Sequence, residues 1–130
     1  MINFPPKYYI IFSNSPEDEI HRSRIIAGLR IALTLLMEEF EIHILLIQEG
    51  VAIAKKSNGG NEREEKDDEI NFTPYELIEG LISFGGNVMT CKSSLAMVNM
   101  TKEDLIQGVE IFTLHTALLK MVDCDKVLTF

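Results

Sequence analysis

Short apolar runs, rich in aromatic and β-branched residues, recur along the whole chain. Runs of this length and composition predict buried β-strands. The five predicted strands are residues 7–12, 42–47, 87–90, 109–112 and 126–130. The second of them is apolar at nearly every position, which is typical of a parallel strand that is covered on both faces.

The segments between these runs carry the capping signals of helices. Ser15 before Pro16 predicts the start of a long helix over residues 17–39, whose apolar positions cover most of its circumference. Thr73 and Glu76 have the spacing of a capping box, and we expect their helix to end near residue 84, before a pair of glycines.

Two further helices are predicted nearer the end of the chain. Thr101, with Asp104 three residues later, predicts the cap of a short helix. A last helix is predicted over residues 113–122. Its expected inner face is formed by Leu114, Ala117, Leu118 and Met121.

Strands that alternate with helices predict one α/β domain spanning residues 1–130. We expect a three-layer α/β/α arrangement in which helices cover both faces of a five-stranded parallel sheet. A chain of 130 residues with 46% hydrophobic residues is long enough to bury one such core.

The net charge of −8 is distributed unevenly. Residues 62–69 hold six acidic residues against two basic ones and lack apolar periodicity, so we expect a mobile acidic loop over residues 55–71. It is open whether that loop gates a site or is simply solvated. No basic stripe with interleaved aromatic residues occurs, which argues against direct nucleic-acid binding.

Cellular location is suggested by what the sequence lacks. No leader-like segment is evident at the start, and the longest apolar stretch, residues 25–37, contains Arg30 and is too short to span a bilayer. Two widely separated cysteines form no disulfide framework, so we expect a protein of the reducing cytoplasm.

Chemically useful side chains gather where the predicted strands end. The carboxyl ends of parallel strands lie on one edge of the sheet, where open α/β folds bind their ligands. The residues we expect near that edge are Ser13, Asn14, Gln48, Glu49, Gly50, Cys91, Lys92, Ser93, Ser94, Thr113, His115 and the terminal carboxylate of Phe130.

Cys91 is the candidate nucleophile at this edge. Backbone N–H groups at the start of a following helix favour a thiolate, and Lys92 is expected to add to that effect. The alternative, that Cys91 is a small buried apolar residue, is left open by its position alone.

Several other kinds of functional site are excluded, because the residues that they require are absent from the required positions. A tyrosine-phosphatase loop requires arginine where this chain has Met97, and neither a dinucleotide fingerprint nor a P-loop is present. The cysteines and histidines match no metal-ligand pattern, so we expect no metal and no cofactor. His43 is expected to be a core residue with its hydrogen bonds satisfied, and Cys124 to be packed in the core.

Together these motifs resemble the DsrE/DsrF-like sulfur-relay proteins, which include the TusBCD-type relay and a peroxiredoxin-like branch. The resemblance covers nearly the whole chain. It rests on the segment around Cys91, on E-D-L-I-Q-G-V at residues 103–109, on D-K-V-L-T-F at residues 125–130 and on Gly50-Val51 after the second strand. Val98-Asn99-Met100 stands where the peroxiredoxin-like branch has glycine, so the branch stays open.

The resemblance implies a flavodoxin-like, DsrEFH-like subunit of a homo-trimer or hexamer. It further implies that Cys91 carries sulfur as a persulfide or thiosulfonate between donor and acceptor proteins, as a sulfurtransferase or sulfur carrier. Two alternatives remain. One is a non-catalytic scaffold subunit of a sulfur-relay complex, and the other is an α/β protein that binds a small molecule.

Overall fold

The computed structural model describes residues 5–56 and 72–130. Within them, strands and helices alternate as the sequence predicts. The strands are β1 (Lys7–Phe12), β2 (Glu41–Leu46), β3 (Asn87–Cys91), β4 (Glu110–Phe112) and β5 (Lys126–Thr129). The helices are α1 (Glu19–Met37), α2 (Pro74–Ser83), α3 (Lys92–Met97) and α4 (Leu114–Val122), with 3₁₀ helices at Gln48–Ala54 and Lys102–Asp104.

The five strands form one sheet in the order β4-β3-β2-β1-β5, and every neighbouring pair is parallel. This confirms the predicted five-stranded parallel sheet. In the register, Phe12 of β1 pairs with Leu46 of β2, and Cys91 of β3 pairs with Phe112 of β4. The last residues of neighbouring strands therefore lie side by side along one edge.

Both faces of the sheet are covered, which gives the predicted three layers. Side chains of α1, α2, α3 and the first 3₁₀ helix form the larger core against one face, with Ile25, Leu77, Leu95 and Val51 among them. The opposite face is covered by α4, where Ala117 packs into a smaller buried cluster. The other buried members of that cluster are Tyr9, Leu45 and Met89.

The start of α1 differs from the prediction. Asp18, not Ser15, is the N-cap, because its side chain accepts a hydrogen bond from the Ile20 N–H at 3.1 Å. The Ser15 hydroxyl accepts the Glu17 N–H at 3.1 Å, in a turn that precedes the helix. At its other end α1 stops at Met37, before Glu39 adopts a left-handed φ of 73° that cannot continue a helix.

The two predicted capping boxes are confirmed. The Thr73 hydroxyl accepts the Glu76 N–H, and the Glu76 carboxylate accepts the Thr73 N–H, each at 3.1 Å. Thr101 and Asp104 form the equivalent pair, although the element they cap is a single 3₁₀ turn.

Two further expectations need adjustment. Leu114, predicted on the inner face of α4, is 44% exposed because it begins the helix beyond the sheet, while Ala117 is fully buried. The predicted acidic loop lies outside the described residues from position 57 onward. The first two residues of the predicted loop contact the chain that precedes β4. Lys55 forms a β-bridge with Leu105, and the Lys56 N–H donates to the Asp104 carbonyl at 2.8 Å.

The sequence did not predict the first 3₁₀ helix; it indicated only that the chain leaves β2 at these residues. The position of this helix depends on close contact with β1. The Ile47 N–H donates to the Phe12 carbonyl at 3.1 Å, and the Gly50 N–H donates to the Ile47 carbonyl at 2.8 Å. A Cβ at Gly50 would collide with the Phe12 carbonyl oxygen and lie 2.9 Å from its carbon. Glycine is therefore required at this position by the backbone of β1.

As to membrane insertion, no helix within residues 5–56 and 72–130 has the length and apolar character needed to cross a bilayer.

Substitution of Gly50 tests this contact. We expect Gly50→Ala to lower the free energy of unfolding by about 3 kcal/mol, because the clash involves backbone that cannot rotate away. Urea unfolding followed by circular dichroism measures the change. The matched control is Gly80→Ala, whose new methyl would meet only Leu33 at 4.0 Å and should stabilise α2 by about 0.5–1 kcal/mol. Equal midpoints for Gly50→Ala and wild type would contradict the interpretation.

Candidate functional site

Cys91 occupies the position in the sheet where a ligand site is expected. It is the last residue of β3 and at the same time the N-cap of α3. The chain leaving β3 enters α3, which packs in the larger core, whereas the chain leaving the neighbouring β4 enters α4 on the opposite face. Adjacent strands whose connections diverge in this way leave a crevice between their carboxyl ends.

The sulfur of Cys91 is surrounded by hydrogen-bond donors, although the residue is only 2% exposed. Its Sγ lies 3.3 Å from the Ser93 hydroxyl. The backbone N–H groups of Ser93 and Ser94 and the Ser94 hydroxyl also act on the thiol by favouring its charged form, which lowers its pKa. All these donors belong to the first turn of α3, so the strand-to-helix step builds the environment of the thiol.

Two opposing effects act on the pKa of the Cys91 thiol. Burial is the largest single effect and raises the pKa, because a charged sulfur loses hydration. The hydrogen bonds from Ser93 and Ser94 together outweigh it, so the pKa is lowered from its ordinary value. Lys92, expected to contribute, is exposed, and its charge is not among the causes of the shift. The serines, not the lysine, favour the thiolate.

Ser94 connects this thiol to the end of β2. The residue is 6% exposed, and its hydroxyl accepts the Gln48 N–H at 2.7 Å. Gln48 has a left-handed φ of 52° at the start of the first 3₁₀ helix. The predicted site residues Gln48, Gly50, Cys91, Ser93 and Ser94 are thus brought together, the first two through their backbone.

The other predicted site residues are arranged more loosely around this group. The Ser13 N–H donates to the Phe130 carbonyl at 3.3 Å, and the half-buried Asn14 follows it at the end of β1. Glu49 and His115 stand exposed on the first 3₁₀ helix and on α4. Neither side chain joins the hydrogen bonds around Cys91.

One cation that contacts β4 was missed from the sequence. The Lys120 ammonium lies 5.1 Å from the centre of the Phe112 ring, and Phe112 is the strand partner of Cys91. This is a cation–π contact between α4 and β4. The seven residues between the two give no local signal, since the contact arises from the packing of α4.

The remaining candidates lie elsewhere. Cys124 precedes β5 at the opposite edge of the sheet, is half-buried, and donates weakly to the Lys120 carbonyl at 3.6 Å. His43 was predicted to be a core residue with satisfied hydrogen bonds. Its hydrogen bonds are confirmed by contacts with Glu41 at 2.6 Å and Asn87 at 3.4 Å, but the residue is half-buried and lies outside the core. In the part of the chain that the structure describes, no group of three or more His, Cys, Asp or Glu residues is arranged to hold a metal ion.

The pKa values of the two thiols should be shifted in opposite directions. The pKa of Cys124 is raised, first by burial and then by the charge of Glu41, whereas that of Cys91 is lowered. We therefore expect the alkylation rate of Cys91 to reach half its maximum at a lower pH than that of Cys124. The midpoint of Cys91 is measured from the rate of iodoacetamide alkylation across pH on the Cys124→Ser protein. The midpoint of Cys124 is measured in the same way on the Cys91→Ser protein.

The denatured proteins supply the control for this comparison, because unfolding should bring the two midpoints together. A native Cys91 midpoint at or above that of Cys124 would show that the hydrogen bonds do not outweigh burial.

Comparisons with known proteins agree with this fold. The chain is 31% identical over 124 residues to the uncharacterized protein MJ0989 of Methanocaldococcus jannaschii, covering 95% of this chain and 99% of that protein. It is also 31% identical over 121 residues to the uncharacterized protein MK0008 of Methanopyrus kandleri, covering 93% and 91%.

Among solved structures, the ychN protein of E. coli superposes with a TM-score of 0.76 at 23% identity, covering 96% of this chain and 99% of that one. MTH1491 of Methanobacterium thermoautotrophicum, a protein of unknown function, superposes with a TM-score of 0.65 at 15% identity, covering 95% and 98%. These likenesses show the shared fold. A sequence model of the DsrE/DsrF-like family matches residues 6–130, and the chain therefore belongs to the DsrE/DsrF-like family.

Proposed function

We propose that this protein is a sulfur-relay subunit that carries sulfur on Cys91, as a persulfide or thiosulfonate, and passes it to a partner thiol. Membership of the DsrE/DsrF-like family suggests a role related to sulfur relay. The observation that carries the finer proposal is the position of Cys91 at the end of β3, where its sulfur lies 3.3 Å from the Ser93 hydroxyl and the pKa of the thiol is lowered despite its burial. A thiolate, not a thiol, is the nucleophile in sulfur exchange.

Both steps of the proposed transfer are exchanges between sulfur atoms. The Cys91 thiolate attacks the outer sulfur of a donor persulfide, a new S–S bond forms on Cys91, and the donor leaves as a thiolate. An acceptor thiolate then attacks that same outer sulfur, and Cys91 leaves as a thiolate. No net oxidation occurs, and no general base is required when Cys91 is already ionised.

The acceptor thiol must come from a partner protein. Cys124 lies at the amino edge of the sheet and Cys91 at the carboxyl edge, so Cys124 is badly placed to resolve a Cys91 persulfide. We accordingly propose separate donor and acceptor proteins. Free thiolates of this kind persist in a reducing compartment, for which we propose the cytoplasm.

A scaffold role is the second candidate function, and the 2% exposure of Cys91 favours it. In that role Cys91 is a packing residue, and the protein supports the assembly of a relay without carrying sulfur itself. The ligand-binding alternative has less support. Two surface cavities of the described residues, of about 410 and 370 Å³, are lined by α1 and by α2 with Ile106 and Gln107, and neither is lined by Cys91.

Sulfur loading distinguishes a carrier from a scaffold. We expect the reduced protein, after exposure to polysulfide or a thiosulfonate donor, to gain sulfur mass that dithiothreitol removes. Cys124→Ser should gain the same mass, whereas Cys91→Ser should gain none. Intact-mass spectrometry measures the gain. Loading that persists in Cys91→Ser, or is absent from the wild type, would reject Cys91 as the carrier.

We also propose that the chain assembles as a homo-trimer or hexamer. Large apolar side chains on two helices are exposed in the single chain, an arrangement that is unusual for a monomer. They are Ile20, Ile31 and Met37 on α1 and Leu114, Leu119 and Val122 on α4.

Light scattering tests the assembly. We expect three or six times the mass of one chain at micromolar concentration. Ile31→Glu and Leu119→Glu place a charge on α1 and α4 respectively, and the variant that dissociates identifies the helix in the interface. Arg22→Glu, at an exposed position of α1 away from the surface around Ile31, is the control. A monomer mass for the wild type would contradict the proposal.

A further inference from the structure

The outer face of α1 is exposed in the single chain and has an apolar centre. At 3.6 residues per turn, the exposed residues nearest the centre of this face are Ile20, Ala27, Ile31, Thr34 and the C-cap Glu38. Ile20 is 74% exposed and Ile31 is 44% exposed. A surface helix normally turns its polar side to solvent, so this face indicates contact with another molecule.

A surface cavity of about 410 Å³ lies in the middle of this face. It is lined by Ala27, Arg30, Ile31, Thr34 and Leu35. The first four have the spacing i, i+3, i+4, i+7, which forms the hole for one side chain in knobs-into-holes helix packing. The Thr34 hydroxyl donates to the Arg30 carbonyl at 2.8 Å, so its hydrogen bond is satisfied within α1. The hole therefore suits an apolar side chain.

A side chain that fits this hole lies on the same face. Ile31 is exposed at the centre of α1. When two α1 helices pack antiparallel about a two-fold axis between residues 30 and 31, Ile31 of each copy lies opposite the hole of the other. In this register Ala27 of one copy faces Thr34 of the second copy. The face is therefore complementary to itself, as an isologous contact requires.

The charges of α1 favour the antiparallel direction. Every ionisable side chain of residues 20–37 is basic, whereas Glu38 and Glu39 follow at the carboxyl end. A parallel pair would place the two copies of Glu38 against each other, but an antiparallel pair places Arg24 beside Glu38 of the second copy. Among the described residues, neither of these two side chains takes part in an ion pair. Two such contacts outweigh the one like-charge contact of this register, which is between the two copies of Arg30.

We propose that the outer face of α1 is a two-fold docking surface for a second copy of this chain, in which Ile31 of each copy fills the cavity between Ala27 and Thr34 of the other. The proposal rests on the proposed assembly and is independent of sulfur transfer. A closed trimer contains no two-fold axis, so this contact selects the hexamer, which contains three such pairs.

Cross-linking tests the direction and register in a Cys91→Ser/Cys124→Ser background. On oxidation, Ala27→Cys/Thr34→Cys should give chains linked in pairs, because the two positions face each other across the axis. Within one chain these positions are two turns, about 10.5 Å, apart, which is too far for a disulfide. Each single-cysteine variant should link about tenfold less, since its two copies are also far apart. Electrophoresis without reductant measures the linked fraction, and single variants that link as well as the double variant would overturn the antiparallel pair.

Charge reversal tests the ionic contact. Arg24→Glu and Glu38→Arg should each weaken association about fivefold, and the variant with both changes should return to within about twofold of wild type. Arg30→Gln removes the like-charge contact and should strengthen association about twofold. Arg22→Glu is the matched control and should have no effect, because residue 22 lies about 200° around α1 from residue 24. Analytical ultracentrifugation measures the dissociation constants, and no recovery in the double variant rejects the pairing of Arg24 with Glu38.

The mass of Ile31→Glu, measured by light scattering, tests the symmetry. A charge in a two-fold contact should halve the mass of the assembly, from six chains to three, whereas loss of a three-fold contact would leave pairs. A wild-type mass of three chains, or an unchanged mass of Ile31→Glu, rejects α1 as the two-fold surface and leaves the proposed assembly standing. A monomeric wild type rejects the assembly and this contact together. Sulfur loading of Cys91 is measured separately and is decided by none of these results.

Discussion

The parallel direction of all five strands is the constraint on which the site depends. It places the carboxyl ends of β1, β2 and β3 on one edge, and three backbone features there converge on Cys91. Phe12 ends β1 and accepts the Ile47 N–H, Gly50 allows the chain after β2 to lie against Phe12, and Gln48 then directs its N–H to Ser94. The environment of the thiol is thus built by three strands, although the donors to it lie on α3.

Much of this architecture follows from local sequence signals. β1, β2 and β3 were recognisable because a buried parallel strand is apolar at almost every position. β4 and β5, which were also predicted to be buried, hold no fully buried residue and lie at the two edges of the sheet. The capping boxes at Thr73 and Thr101 were recognisable because both partners lie within four residues. The step from β3 into α3 at Cys91 was predicted on the same basis. Local signals sufficed wherever the interacting groups are close in sequence.

The errors arise where two local signals compete or where distant segments meet. Ser15 and Asp18 are both good N-caps, and only the turn between them decides that Asp18 is used. Leu114 has helical spacing with Ala117, yet its place at the end of α4 leaves it exposed. The bond between Gln48 and Ser94 joins residues 46 positions apart, so no sequence window contains it. It depends on the pairing of β2 with β3.

The balance of effects on the pKa of Cys91 has a chemical consequence for the proposed carrier function, which requires both uptake and release of sulfur. Burial alone would favour the neutral thiol and slow attack on a donor, while strong stabilisation of the thiolate would lower its intrinsic nucleophilicity. Release benefits from that same stabilisation, because Cys91 is then the leaving group and a thiol of lower pKa leaves faster. Donors on the inner sulfur therefore favour delivery over retention. The hydrogen bonds from Ser93 and Ser94 that offset burial are suited to a protein that passes sulfur on and does not store it.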